Sequence, residues 1–294
     1  MNNYPSRVTQ KVNIDLSNNH NSHTIALVTQ AFHRDFSVSD LFTFEIMGGI
    51  SRGLRSNGYD LLVAYVDPNE YDWANRYLDN CRVDGFILMT SSRKQNHIHE
   101  LLATHVPFTV WGVPSPNNSY CSVIGDNFNG GKLATGYLLS TGRQHIAFLG
   151  GDVHYFEVQS RYEGYQAALQ SAGQSFDPQL VAYGDFSDTS GAIAMRKLLQ
   201  QAPNLDAVFV NSDLMAISAM KVLRKQGRRV PDDVAVVGYD DLSIAESNNP
   251  PLTTIRQNIP QAGKLLAQNL IQCIQTGEVT NVIMPVELVV RESA

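Results

Sequence analysis

Four consecutive apolar residues, Val234, Ala235, Val236 and Val237, stand between Pro231 and Gly238 with no polar residue alternating among them. A strand with one wet face alternates apolar and polar residues. This run therefore describes a strand buried on both faces, as in a parallel sheet flanked by helices. Tyr239, Asp240 and Asp241 follow at its carboxyl end, the edge where open α/β sheets place their ligands. A chain built around such a strand must supply helices for both faces, and the rest of the sequence does so.

Strand and helix patterns alternate for most of the length. Strands are predicted at Thr24–Thr29, Tyr59–Val66, Gly85–Met89 and Phe108–Trp111, with helices at Phe42–Ser56, Asp72–Asn80 and near Ile98–His105. The Pro-, Asn- and Ser-rich stretch Ser115–Cys121 interrupts this rhythm. It then restarts with helices at Gly130–Thr141, Arg161–Ala172, Thr189–Gln201 and Leu214–Gln226. The strands between and after them are Ile146–Leu149, Leu180–Tyr183, Ala207–Val210 and Val234–Gly238. A last helix, Gln261–Thr276, carries Leu265, Leu266, Leu270 and Ile274 at helical spacing, before a terminal strand around Val282–Leu288. The expected fold class is α/β: two similar parallel-sheet lobes with right-handed crossovers and a ligand cleft between them.

Composition narrows the function classes. The 294 residues carry a net charge of −6, against a broad nucleic-acid surface on this chain, since duplex binding needs clustered Lys and Arg. No apolar run approaches the roughly 20 residues that cross a bilayer, and no basic start followed by an apolar core marks a secretory signal. Cys81, Cys121 and Cys273 are far apart and lack metal-ligand spacing, so reduced thiols in a cytoplasmic protein are expected. No metal and no cofactor is expected.

Three local patterns carry rival readings. Gly49-Ile50-Ser51-Arg52-Gly53 fits the G-x-S-x-G pattern of a hydrolase elbow, which needs a strand before the Ser. Ile46, Ile50 and Leu54 recur every fourth residue instead, placing Ser51 inside an amphipathic helix. His97-x-His99 suggests a metal site but lacks grouped partners and reads as a solvated helix start, and Gly150-Gly151, which in a phosphate cradle would need a third glycine or a Lys-Ser/Thr pair, reads as a tight turn. No nucleophile and base are paired, so no enzyme is expected.

Polar residues at strand ends are the better candidates. Arg161 stands at the start of a helix after one strand, Ser212 and Asp213 follow a second, and Asp240 follows a third. A guanidinium and carboxylates make charge-assisted hydrogen bonds to hydroxyls and suit a polyhydroxylated ligand. Asp213 has a second reading as a helix cap, and Phe186 reads either as core or as a ring-stacking aromatic.

The segments RYEGYQAAL (Arg161–Leu169), SDLMA (Ser212–Ala216), VPDDVAVVGYDD (Val230–Asp241), PPLTTIRQ (Pro250–Gln257) and PVELVVRES (Pro285–Ser293) occur in an order that resembles the LacI/GalR family of bacterial transcriptional regulators, across roughly Tyr4 to Ser293. The resemblance implies two periplasmic-binding-protein-like lobes around a sugar-like effector, a homodimer, and operator DNA bound through a helix-turn-helix. By position it makes Arg161 the ligand-gripping arginine, Asp240 the hydroxyl-binding aspartate, and Phe186 a stacking aromatic. Ser212 stands where many relatives have Asn, Trp111 near an aspartate of the lactose-type members, Ile259 where some relatives carry an aromatic, and Phe42 resembles an aromatic of the opposite wall. Asn3–Val12 resembles the hinge helix that orders on DNA, with Arg7 within it and Val12 at the place of the leucine that enters the minor groove.

The chain has no helix-turn-helix, so the expectation is the sensing part of a longer regulator. Its expected divisions are a mobile segment at 1–23, a first lobe at 24–126 plus 258–278, and a second at 127–257 plus 279–294. The rival class is a sugar-binding protein of a transport system, which would need an export signal or lipid-anchor Cys near the start.

Overall fold

The computed structural model describes residues 6–11, 22–29, 41–66, 70–79, 81–89 and 95–294. The chain separates into two compact units, Met1–Gly125 with Asn258–Pro285, and Asp126–Gln257 with Val286–Ala294. The first contains β1 (Ser6–Lys11), β2 (Thr24–Thr29), α1 (Leu41–Arg55), β3 (Asp60–Tyr65), α2 (Asn75–Leu78), β4 (Gly85–Met89), α3 (Gln95–Thr104), β5 (Phe108–Trp111) and β6 (Cys121–Gly125). The second contains α4 (Asn127–Ser140), β7 (Ile146–Gly150), α5 (Phe156–Ser171), β8 (Val181–Tyr183), α6 (Asp188–Gln201), β9 (Ala207–Val210), α7 (Asp213–Lys225), β10 (Ala235–Asp240), α8 (Ser243–Ser247) and β11 (Thr253–Gln257). The chain then returns to the first unit with α9 (Ile259–Thr276) and β12 (Glu278–Met284), and ends in the second with β13 (Val286–Val289).

The second unit is built on a sheet of order β13-β11-β10-β9-β7-β8, parallel except for the antiparallel edge strand β13. Its central strands alternate between two cores, as the period of two requires. Val236 of β10, with Val234 just before it, packs with Met195, Leu198, Ala219 and Leu223 of α6 and α7. Ala235, Val237 and Tyr239 pack with Ala134, Leu138, Tyr165 and Leu169 of α4 and α5. The apolar run thus lies between two helical layers, as its lack of alternation demands.

The first unit repeats the plan with the order β1-β12-β6-β5-β4-β2-β3. Trp73, Tyr77, Phe86 and Leu101 belong to the core on one face. On α1 and α9 the packing is glycine-made: a Cβ on Gly49 would lie 2.3 Å from the Pro260 carbonyl oxygen, and one on Gly263 would lie 2.2 Å from that of Ile46. The glycines of the hydrolase-like motif therefore serve helix packing, and Ser51 is exposed on α1.

Several expectations need correction. Ser6–Lys11 is an exposed strand antiparallel to β12, not a hinge helix, and Arg7 donates from Nη2 to Gln272 Oε1 at 2.8 Å. The open edge of β12 offers this segment, with its β-branched Val8 and Thr9, a ladder that an isolated helix would lack. Val12 lies outside the described residues. The terminal strand is two strands in different sheets: Pro285 separates them and has no N–H to continue a ladder. Residues 279–285 consequently belong to the first unit. His97 is buried against Trp73, with centroids 5.4 Å apart, and His99 is exposed on the other side of α3. Among the described residues, no helix is long and apolar enough to cross a membrane.

Candidate functional site

The carboxyl ends of β7, β9, β10 and β11 in the second unit gather the polar residues of interest. Arg161 lies in the second turn of α5 rather than at its start, because the helix begins at Phe156. The inward face of α5 mixes Val158, Ser160, Arg161, Gly164 and Tyr165, so apolar periodicity does not mark the first turn. Arg161 is only 4% exposed. Its Nε donates to Asn127 Oδ1 at 2.9 Å and its Nη1 to the Asn211 carbonyl at 2.6 Å. The guanidinium lies 3.6 Å from the centroid of the Tyr239 ring, a cation–π contact. The cation is thus fixed by an amide, a backbone dipole and an aromatic face. Such immobilisation preorganises the remaining donors.

The backbone beneath it is shaped by glycine. A Cβ on Gly131 of α4 would meet the Arg161 carbonyl oxygen at 2.1 Å, and one on Gly164 of α5 the Phe128 carbonyl oxygen at the same distance. The two helices therefore touch backbone to backbone at the level of Arg161.

Every residue of Gly238-Tyr239-Asp240-Asp241 has a distinct role. A Cβ on Gly238 would fall 2.4 Å from Asp213 Oδ1, so glycine makes room for that carboxylate. Tyr239 is the floor under Arg161, and burial foremost pushes its phenol up to about 12. Asp240 ends β10 at φ 112°, a backbone conformation costly for a residue with a Cβ and typical of sites where surroundings over-determine it. Its Oδ1 accepts from Gln257 Nε2 at 2.8 Å. Asp241 turns away and is held by Arg256 at 2.6 Å and Arg291 at 2.7 Å.

Ser212 and Asp213 divide the work differently from the expectation. Ser212 is the N-cap of α7, its hydroxyl accepting from Met215 N at 3.3 Å. Asp213 is fully buried, accepts from Leu242 N at 2.8 Å and hydrogen-bonds the Thr254 hydroxyl. It therefore braces the loop after β10 from beneath. Helix geometry explains the correction: once Ser212 caps α7, the next side chain points inward. Burial, and after it the charge of Asp240, raises the Asp213 carboxyl well above the usual range.

Phe186, at φ 72°, is half-buried and stacks on Tyr155 with centroids 5.8 Å apart and planes 27° from parallel. A Cβ on Gly151 would strike its ring at 2.3 Å, so the second glycine of Gly150-Gly151 admits this aromatic rather than an anion. In the first unit Phe42 and Trp111 come together, with ring centroids 5.9 Å apart and a 40° tilt, both half-buried.

Asn127, Asn211 and Gln257 are the site residues that sequence reasoning does not single out. Gln257 ends PPLTTIRQ at the tip of β11, where the strand-end rule that found Asp240 applies equally. Asn127 and Asn211 carry no comparable signal.

Comparison with known proteins follows the same outline. Residues 135–294 match the family model described as a periplasmic binding protein-like domain. Over 278 residues the chain is 38% identical to the HTH-type transcriptional regulator CelR of Thermobifida fusca, covering 92% of this chain and 81% of the relative. It is 33% identical over 258 residues to the HTH-type transcriptional repressor PurR of Pasteurella multocida, covering 85% and 76%. Among solved structures, a complex of the transcriptional regulator CelR with cellobiose superposes with a TM-score of 0.86 at 36% identity, covering 92% of this chain and 84% of that one.

Proposed function

Because this chain belongs to the LacI/GalR family of transcriptional regulators, as an effector-sensing region rather than the binding protein of a transport system, we propose that the strand ends of its second unit bind a sugar or sugar derivative. The observation that carries this reading is the buried Arg161, held by the Asn211 carbonyl over the Tyr239 ring beside Asp240. A fixed guanidinium supplies donors and the carboxylate supplies acceptors, which together match vicinal hydroxyls. The CelR complex with cellobiose supports the ligand class. Phe186, with Tyr155 behind it, offers a ring surface for the apolar face of a sugar.

Ser212 keeps a hydroxyl hydrogen for the ligand while its oxygen caps α7. Phe42 and Trp111 are proposed as an aromatic surface of the first unit. No reaction is assigned: Asp241, the carboxylate nearest in sequence to Asp240, is neutralised by Arg256 and Arg291 and is not available as a second acid. Occupancy is proposed to change the affinity of the regulator for operator DNA in a cytoplasmic homodimer, a coupling commonly worth about 1–3 kcal/mol.

Titration calorimetry with glucose, ribose, maltose and cellobiose tests the reading, on the wild type and on Asp240→Asn. Asn tolerates a positive φ, so the backbone is kept while the charge is removed. At least one saccharide is expected to bind, with at least about tenfold weaker affinity in the variant. Equal affinity in both proteins would remove Asp240 from the site.

A further inference from the structure

Four polar atoms near the ends of β9, β11 and the start of α5 are closed off from solvent and carry no hydrogen bond: Glu157 Oε2, Gln257 Oε1, and both Oδ1 and Nδ2 of Asn211. Asn211 is 0% and Gln257 6% exposed. Unmet polar atoms at this depth are uncommon and call for a partner.

Their placement is common to one site. The Asn211 carbonyl receives Arg161, and the other amide atom of Gln257 donates to Asp240. Glu157 lies four residues before Arg161 on α5, which puts the two on one helix face. Burial pushes the Glu157 carboxyl up, and the Arg161 guanidinium only partly offsets this.

Three of the four unmet atoms are acceptors, so the group they await must bring hydrogens. A hydroxyl-rich molecule does, whereas a phosphate ester at neutral pH brings further acceptors and negative charge. Two arginines at these strand ends are already neutralised, and Arg161 shares its helix face with the Glu157 carboxylate. Arg161 is held by Asn127, Asn211 and the Tyr239 ring, while Arg256 and Arg291 pair with Asp241. A dianion placed here must face the Glu157 carboxylate or force it to take up a proton, and either penalty weakens binding.

We propose that Glu157 is a specificity-determining residue, which makes this site accept neutral, hydroxyl-bearing saccharides and reject their phosphate esters. The inference rests on the saccharide reading of the same site and adds to it the charge class of the ligand and the residue that sets it.

The test is calorimetry on wild type and Glu157→Gln with two matched pairs, glucose with glucose 6-phosphate and cellobiose with its 6-phosphate. Circular dichroism melting establishes that the isosteric variant is folded. Wild type is expected to favour the neutral member of the pair it binds by at least about tenfold, and Glu157→Gln to narrow that ratio by about tenfold through tighter ester binding. An unchanged ratio in the folded variant, or a wild-type preference for either ester, overturns the proposal while leaving the saccharide site in place. Failure of wild type to bind any of the four, or ribose or maltose, with a cooperative melt retained, overturns the saccharide reading and this proposal together.

Discussion

Arg161→Ala is expected to weaken saccharide binding by more than about 100-fold, the largest loss of any single substitution in the site, because truncating one partner of a buried, hydrogen-bonded charge typically costs about 2–5 kcal/mol of binding. The guanidinium is where three parts of the second unit meet. It takes the Asn127 amide of α4 and the Asn211 carbonyl after β9, and it covers the Tyr239 ring of β10. Removing it deprives a buried carbonyl of its donor and opens a space above Tyr239, so a stability loss of about 2 kcal/mol accompanies the loss of affinity. Arg161→Lys separates charge from geometry. Lys keeps the positive charge but cannot present the planar fork, so it should recover part of the stability and little of the affinity. Calorimetry and thermal melting read both quantities. Binding by the alanine variant within about threefold of wild type would remove Arg161 from the ligand contacts.

Asp213→Ala is expected to destabilise the chain by about 3 kcal/mol, and Asp213→Asn by less than about 1. Alanine leaves the buried Leu242 N–H without its acceptor and the Thr254 hydroxyl without its partner. Asparagine still accepts from the Leu242 N–H, and the Thr254 hydroxyl, which donates to Asp213 Oδ1, need only turn to accept from the new amide. The same residue sets a pH dependence. Burial, then Asp240, raises its folded-state pKa above the unfolded value of about 3.9. Below that value both states hold the proton and the contribution to stability is whole. As pH rises toward the folded pKa, the unfolded chain releases a proton that the folded chain keeps. Stability is then lost by up to about 1.4 kcal/mol per pH unit. The stability of wild type relative to Asp213→Asn should therefore decline from about pH 4 upward in denaturant melts. Parallel profiles for the two proteins would mean that Asp213 is ionised in the folded state.

Strand positions are the part of the fold most fully carried by the sequence. Thr24–Thr29, Gly85–Met89, Phe108–Trp111 and Ala207–Val210 lie where their largely apolar runs place them, because a strand covered on both faces has little room for polar alternation. Elements without that constraint are harder to read. β6 follows a Pro- and Asn-rich turn that masks its start at Cys121, and α5 has no side-chain cap at Tyr155 to announce it. β12 and β13 read as one strand because assignment to different sheets is decided by partners far away in the chain.

The site divides along similar lines. Arg161 and Asp240 are charged and stand at strand ends, so their chemistry is visible in one dimension. Asn127, Asn211 and Gln257 are amides that matter through what surrounds them: a guanidinium for the first two, a carboxylate for the third. Asp213 shows the opposite failure. Its charge and position suggest a ligand contact, yet capping by Ser212 turns it inward to hold Leu242 and Thr254.

Hydrogen exchange of the chain with and without a saturating saccharide tests the location of the site most directly. Slower exchange is predicted at the backbone amides of Tyr155–Arg161, Asn211–Met215 and Tyr239–Leu242, the segments that carry Arg161, Asn211, Ser212 and Asp240. Protection confined to other segments, with these three unchanged at full occupancy, would contradict a binding site at the strand ends of the second unit.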